Sequence, residues 1–318
     1  MLDVRRLRVL KEVAEQGSFS AAADALSYTQ SAVSQQVAAL EREAGTQLVQ
    51  RSARGVRLTE AGEALVCHTE AIIARLAAAE AELEAIAGLR GGRVRLATFP
   101  TAGATLVPLA IAEFSRRHPG VELSLCETEP EDALPLIKSG DLDVALAFEY
   151  GAVMPQSRAR LLDGLDVLEL LDDPMSVALP LGHRLLSKPK LRLADLAGER
   201  WINSSDELMC GAVTIAACER AGFHPDLAFQ TNDYNVAQGL VAAGVAISLI
   251  PELALSNARE DIVIRDLPER ERPVRRVVAA TLAGGARSPA TGAMLEALQW
   301  AADTYRASMR QERLAVAQ

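Results

Sequence analysis

Aromatic residues are scarce in this chain. Two Trp, four Tyr and six Phe make up 4% of its 318 residues, so the core must be packed mainly with aliphatic side chains and alanine. Cysteine is also rare. Cys67, Cys126, Cys210 and Cys218 form no Cys-x-x-Cys pair, and no histidine stands near them at zinc-ligand spacing. No metal site is expected, and the thiols are expected to be buried and reduced. No apolar run approaches the length of a membrane span. The first residues, MLDVRRLRVLKEVAEQG, are charged throughout and lack the apolar centre of a secretion signal, which predicts a cytoplasmic protein without membrane partners. Gly-x-Ser-x-Gly, His-Glu-x-x-His, a phosphate-cradling Gly-x4-Gly-Lys and Gly-x-Gly-x-x-Gly are all missing. His68, His118, His183 and His224 are scattered, and Asp172-Asp173 beside Pro174 reads as a solvated turn. No catalytic residue and no cofactor are expected, so the protein is not expected to be an enzyme.

What is present describes an ordinary folded protein of two or three domains, 49% hydrophobic and 24% charged. A net charge of −9 argues against a nucleic-acid binder, but the charge is unevenly spread. From residue 42 to 59, Arg42, Arg51, Arg54 and Arg57 stand against Glu43 alone. A local basic edge is what steers DNA, whatever the global charge.

That edge belongs to residues 1–58. Leu7, Leu10, Val13 and Ala14 follow helical spacing to Gly17. Ser18 or Ser20 can cap a second helix with the stripe Phe19, Ala22, Ala23 and Leu26. Thr29 can cap a third, which Gly45 ends; its apolar stripe is Val33, Val37, Leu40 and Ala44. The other face carries Gln30, Ser31, Ser34, Gln35 and Ala38, short and polar without carboxylates, suited to a DNA major groove. Leu48-Val49 and Val56-Arg57-Leu58 read as short strands around a Ser52-Ala53-Arg54-Gly55 tip, a wing.

Residues 59–90 are rich in Ala, Glu, Leu and Ile and contain no proline. Leu65, Ile72, Ala79 and Ile86 recur every seven positions, with Leu76 and Leu83 four residues after Ile72 and Ala79. About 28 helical residues make a rod of roughly 40 Å that needs a partner, most simply a second copy. Residues 91–318 alternate strand-like and helix-like runs, which argues an α/β domain with a parallel sheet. Two lobes are expected, about 91–163 with 268–306 and about 164–267, with a ligand cleft between them.

Together GSFSAAADAL, TQSAVSQQVAALEREAG, LVQR and RGVRLTEAG resemble the LysR-type transcriptional regulators. The resemblance continues through LATFPTAGATLVPLAIAEFSRRHPGVEL and KSGDLDVALAF. It implies a winged helix-turn-helix, a dimerising linker helix and a two-lobed effector domain like periplasmic binding proteins. It also implies homotetramers built as dimers of dimers, with double-stranded DNA, a small-molecule effector and RNA polymerase as partners. Carried over by position, it implies that Ser20, Gln30, Ser31, Ser34 and Gln35 face DNA, that Arg54 enters the minor groove and that Arg51 holds phosphate or buttresses the wing. Many members carry an aromatic residue at the position of Val49 and a longer basic residue at that of Gln35. The implied effector residues are Thr101, Ala102, Thr128 and Phe148 from one lobe and Asn203, Ser204 and Thr231 from the other. No Lys or Arg falls at those positions, while Glu127, Glu129 and Glu149 lie close by; a neutral, weakly polar or cationic ligand is expected.

Three other readings compete. A redox sensor could use Cys210 and Cys218, but eight residues along one helix separates them by about 12 Å, and a disulfide needs Cα atoms within about 7 Å. A transport or other small-molecule binding module leaves the first 58 residues without a purpose. An α/β enzyme lacks its motifs.

Overall fold

The computed structural model describes residues 2–52, 55–86, 92–151, 162–205, 209–284 and 287–316. The chain divides into two compact units, Met1–Leu83 with Lys138–Asp141, and Glu84–Ile137 with Leu142–Gln318.

In the first unit, helix α1 (Val4–Gln16) is capped by Asp3, whose carboxylate accepts from the Arg5 N–H at 2.7 Å, and ends at Gly17 with φ 61°. Of the two expected caps for α2 (Phe19–Ala25), Ser18 is the one used; its Oγ accepts from the Ala21 N–H. Helix α3 (Gln30–Ala44) begins with Thr29 Oγ1 accepting from the Ala32 N–H at 3.2 Å and ends at Gly45. Val33, Val37 and Leu40 are fully buried against Val9, Val13 and Phe19 on one side and Leu7, Leu10 and Leu48 on the other. Strands β1 (Val49–Ser52) and β2 (Gly55–Leu58) pair antiparallel, and the long helix α4 (Glu60–Ile86) follows.

The junction between wing and α4 is tight. Thr59 Oγ1 donates to the Gln47 carbonyl at 2.7 Å and accepts from the Gly62 N–H at 3.1 Å. A Cβ on Gly62 would stand 2.1 Å from the Leu48 carbonyl oxygen. Gly62→Ala is therefore expected to destabilise this unit by about 1–3 kcal/mol, the usual range for overpacking. Thermal unfolding followed by circular dichroism checks this; an unchanged midpoint would mean the junction yields freely.

Along α4 the heptad residues divide. Leu65, expected in the dimer seam, is partly buried and packs with Val66 against Leu7, Leu10, Leu40 and Leu48 of its own unit. Farther on, Ile72 (37%), Leu76 (39%) and Leu83 (67%) are exposed, as is Ala79. Ile86 is the last residue of the helix.

The second unit contains, in order, β3 (Arg93–Thr98), α5 (Pro100–Ala104), α6 (Leu106–Arg117), β4 (Glu122–Glu127), α7 (Pro130–Lys138) and β5 (Val144–Glu149). Then come β6 (Leu165–Pro180), β7 (Arg200–Asn203), α8 (Met209–Arg220), β8 (Asp226–Gln230) and α9 (Tyr234–Ala242). Strands β9 (Ser248–Pro251), β10 (Ile262–Arg265) and β11 (Val274–Leu282) precede the closing helix α10 (Pro289–Val316). The main sheet runs β10-β6-β11-β5-β3-β4, with β9 also on β6. It is mixed, not parallel as expected. Strand β3 is parallel to β4 and β5, but β11 returns antiparallel between β5 and β6.

One expectation fails informatively. A solvated turn at Asp172-Asp173 would divide residues 165–179 in two; instead they belong to one strand, β6. Its residues 165–174 pair with β11, and residues 175–180 pair with β9 and β10. Asp172 and Asp173 stand opposite Arg276 and Arg275. Strand alternation sends Asp172 and Arg276 outward and buries Asp173 and Arg275, each 1% exposed. Helix α6 begins after Thr105 and is preceded by the separate short helix α5. Strand β7 was not foreseen, because Arg200-Trp201-Ile202-Asn203 has no alternation and Trp201 and Ile202 are both buried.

Candidate nucleic-acid interface and effector cleft

Burial of Val33, Val37 and Leu40 turns the opposite side of α3 outward. Gln30, Ser31 and Gln35 are exposed, Ser34 is half-buried, and Ser20 is exposed on α2. Ser31 Oγ lies 3.0 Å from the capping Thr29 Oγ1, so its hydroxyl is held at the helix start. An open groove of about 470 Å³ runs between α3 and β1, lined by Ser34, Ala38, Gln47 and Gln50. Arg42 and Arg57 are exposed. Arg51 stands on β1 opposite Val56, whereas Arg54 lies outside the described residues.

Two contacts here escaped the sequence reading. Glu41 Oε1 accepts from the Leu48 and Val49 N–H groups, at 2.9 and 3.2 Å, and so ties the wing to the recognition helix. Arg6 forms an ion pair with Glu43 and donates from Nε to Gln36 Oε1 at 3.2 Å. Glu43, the one acid within the basic stretch, is thus neutralised by α1.

In the second unit the expected effector residues separate into three groups. Thr101 Oγ1 accepts from Arg275 Nη2 at 2.6 Å. Ala102 and Phe148 are fully buried and present no surface to a ligand. Thr128 follows β4, its N–H donating to the Thr98 carbonyl. Asn203, Ser204 and Thr231 meet around a small cavity of about 10 Å³ in the second lobe, shared with Cys210 and Tyr234. That is room for about one water. Asn203 Nδ2 is already donating to the Gly211 carbonyl, and Thr231 Oγ1 accepts from the Asp233 N–H.

The expectation that no cation stands here is corrected by Arg275. Its guanidinium pairs with Asp173 at 2.7 Å and lies 4.8 and 4.9 Å from the ring centres of Phe99 and Phe148. Asp173 Oδ1 in turn accepts from the Leu253 N–H in the second lobe at 3.0 Å. Thr101, Arg275, Asp173 and Leu253 make one polar chain from lobe to lobe. Burial raises the Asp173 carboxyl above its ordinary value, against the opposing pull of Arg275. A second interlobe bond runs from the Met209 N–H, at the start of α8, to Glu131 Oε1 on α7 at 3.2 Å. Sequence position alone could not reveal Arg275; its signal is the register of β11 against β6.

The thiols also divide. Cys67 and Cys126 are exposed, against expectation, because the outward side of α4 and the sheet-edge strand β4 carry them. Cys210 and Cys218 are buried on one helix. Burial, and then Glu129, push the Cys210 thiol up to about 12; burial and Glu219 do the same to Cys218.

Residues 4–63 match the bacterial regulatory helix-turn-helix protein, lysR family, and residues 87–302 match the LysR substrate binding domain. The chain belongs to the LysR family. A probable transcriptional regulator, LrrA, from Synechococcus elongatus is 30% identical over 310 residues, 96% of this chain and all of the relative. A probable hydrogen peroxide-inducible genes activator from Mycobacterium avium is 36% identical over 259 residues, 78% of each chain. A full-length OxyR variant from Pseudomonas aeruginosa shares the fold, with a TM-score of 0.66 at 22% identity over 95% of both chains. As a LysR-type regulator the protein binds DNA through its N-terminal helix-turn-helix and carries an effector-binding domain. The relatives named are transcriptional regulators. Among the described residues, no helix is long and apolar enough to cross a membrane.

Proposed function

We propose that the protein is a cytoplasmic, effector-gated regulator that reads its operator with Gln30, Ser31, Ser34 and Gln35 while the wing, through Arg51 and Arg54, holds the backbone and minor groove. Two copies join along α4 through Ile72, Leu76, Ala79 and Leu83. Their recognition helices then enter major grooves about 34 Å apart on an imperfect palindrome. Two such dimers form a tetramer through their effector domains. A ligand between the lobes shifts the lobe angle by its differential affinity for two arrangements, and this alters access of RNA polymerase.

The observation that carries this reading is the outward face of α3. It combines amides and hydroxyls with no carboxylate, above a rigid apolar stripe and beside a clamped wing. Gln can read adenine bidentately, which is worth about 1–3 kcal/mol of discrimination. Gln30→Ala is expected to weaken binding to the upstream intergenic DNA by that amount and leave non-specific binding intact. Arg51→Ala is expected to weaken all sequences alike and to lower the salt slope by about one. Fluorescence anisotropy over a salt series measures both. If neither substitution changed binding, another surface would be reading the DNA.

The peroxide-inducible relative favours a second reading, in which Cys210 and Cys218 form a redox pair. The chemistry around them opposes it. Both are protonated at neutral pH, and attack on peroxide needs the thiolate. Their shared helix would also have to unwind before they could join.

A further inference from the structure

Resting on the reading that α3 enters the major groove while the wing enters the minor groove beside it, we propose that the cleft between α3 and β1 seats the sugar–phosphate strand that separates those two grooves. Gln47 and Gln50 bind its phosphate oxygens, and Arg42 supplies positive charge at its edge.

A duplex places one sugar–phosphate strand between its major groove and each neighbouring minor groove. A protein that reaches into both must straddle that strand. The straddling surface is therefore concave, with the recognition helix on one bank and the wing on the other. Such a surface is present. The open groove of about 470 Å³ has Ser34 and Ala38 of α3 on one bank and Val49 and Gln50 of β1 on the other, with Gln47 on the connection between them. Phe19 and Val37 are buried and form its apolar floor. A second open groove, of about 560 Å³, borders the wing against α1 and α4 and is lined by Ala14, Arg57 and Glu63. It has no wall on α3, so a strand lying in it would not separate the recognition helix from the wing.

The banks carry donors ready for an acceptor. Gln47 and Gln50 are exposed, and among the described residues their side-chain amides make no hydrogen bond. Each amide brings two N–H donors, which suit phosphate oxygens that only accept. Arg42 is exposed as well. Its Nε donates to the Ala38 carbonyl at 3.3 Å, which turns the guanidinium back along α3 toward the groove wall. The one acid in the lining is Glu41, and its Oε1 is occupied by the Leu48 and Val49 N–H groups. Two donors on that oxygen offset part of its charge. The same two bonds hold the β1 bank at a fixed distance from α3.

The test uses full-length protein and upstream intergenic DNA ethylated at random on its phosphates. Ethylation removes a phosphate's charge and blocks an oxygen, so comparing bound with unbound DNA shows which phosphates are held. Wild-type protein is expected to lose binding when ethyl groups fall on the strand between the bases that Gln30→Ala ceases to discriminate and the adjoining minor groove. The double change Gln47→Ala with Gln50→Ala removes two exposed side chains and leaves the fold intact. It is expected to weaken natural and shuffled duplexes alike by about ten-fold or more. Its salt slope is expected to stay that of the wild type, because neutral amides release no counterions, whereas Arg42→Ala is expected to lower the slope by about one. Ethylation of the same strand segment should then cost the double variant little further. A double variant that kept wild-type affinity and the wild-type interference pattern would overturn the proposal. So would interference confined to other phosphates. If Gln30→Ala still weakened the natural sequence in that case, α3 would keep its place in the major groove and only the course of the strand would be wrong. If Gln30→Ala had no effect either, the placement of α3 would fail with it.

Discussion

Arg275→Ala should destabilise the effector domain by about 3–5 kcal/mol, the cost of leaving one member of a buried ion pair alone. Asp173 would then be left without its counter-charge in a buried site with only backbone donors such as the Leu253 N–H. The loss would be compounded by the empty space beside Phe99 and Phe148, whose rings pack edge-to-face with the guanidinium now against both. Tryptophan fluorescence during urea unfolding reads this directly, because both tryptophans, Trp201 and Trp300, belong to the second unit. The paired change Arg275→Met with Asp173→Leu should recover much of the stability, since an apolar replacement removes both charges at once. A single-variant loss below about 1 kcal/mol, the range of an exposed pair, would mean that water reaches the site.

The second large effect concerns α4. Ile72, Leu76 and Leu83 are exposed on their own unit, so replacing all three with Glu should leave each copy folded. In a paired rod the same residues would bury six carboxylates along one seam. Dimers should therefore dissociate, measured by sedimentation velocity. Each head would then bind DNA alone, and the gain from linking two heads, about 10²–10⁴ in affinity, should vanish. A triple variant that stayed dimeric and bound DNA normally would place the dimer contact elsewhere. Leu65 is left out of this test because it packs inside its own unit, where a charge would unfold the head rather than part the copies.

The legible parts of this fold are those that local rules govern. The caps at Ser18 and Thr29, the left-handed glycines Gly17 and Gly45, and the period of Val33, Val37 and Leu40 each depend on residues within one or two turns. The helix-turn-helix was readable for that reason. The effector domain was readable only as an alternation of elements. Asp172-Asp173-Pro174 looks like a turn because each of those residues favours one, yet pairing with a strand about a hundred positions later overrides that preference. The same long-range register conceals Arg275, whose neighbours in sequence are ordinary strand residues. The bond from the Met209 N–H to Glu131 Oε1 was equally hidden, since the two residues lie 78 positions apart in the chain.

The most direct test of the account is to titrate purified full-length protein against its upstream intergenic DNA and against a shuffled duplex of equal length, over a range of salt concentrations. The account predicts binding to the natural sequence at least about 10³-fold tighter than to the shuffled one at physiological salt, with a steep loss of affinity as salt rises. Equal binding to the two duplexes, or none to either at low salt, would contradict it.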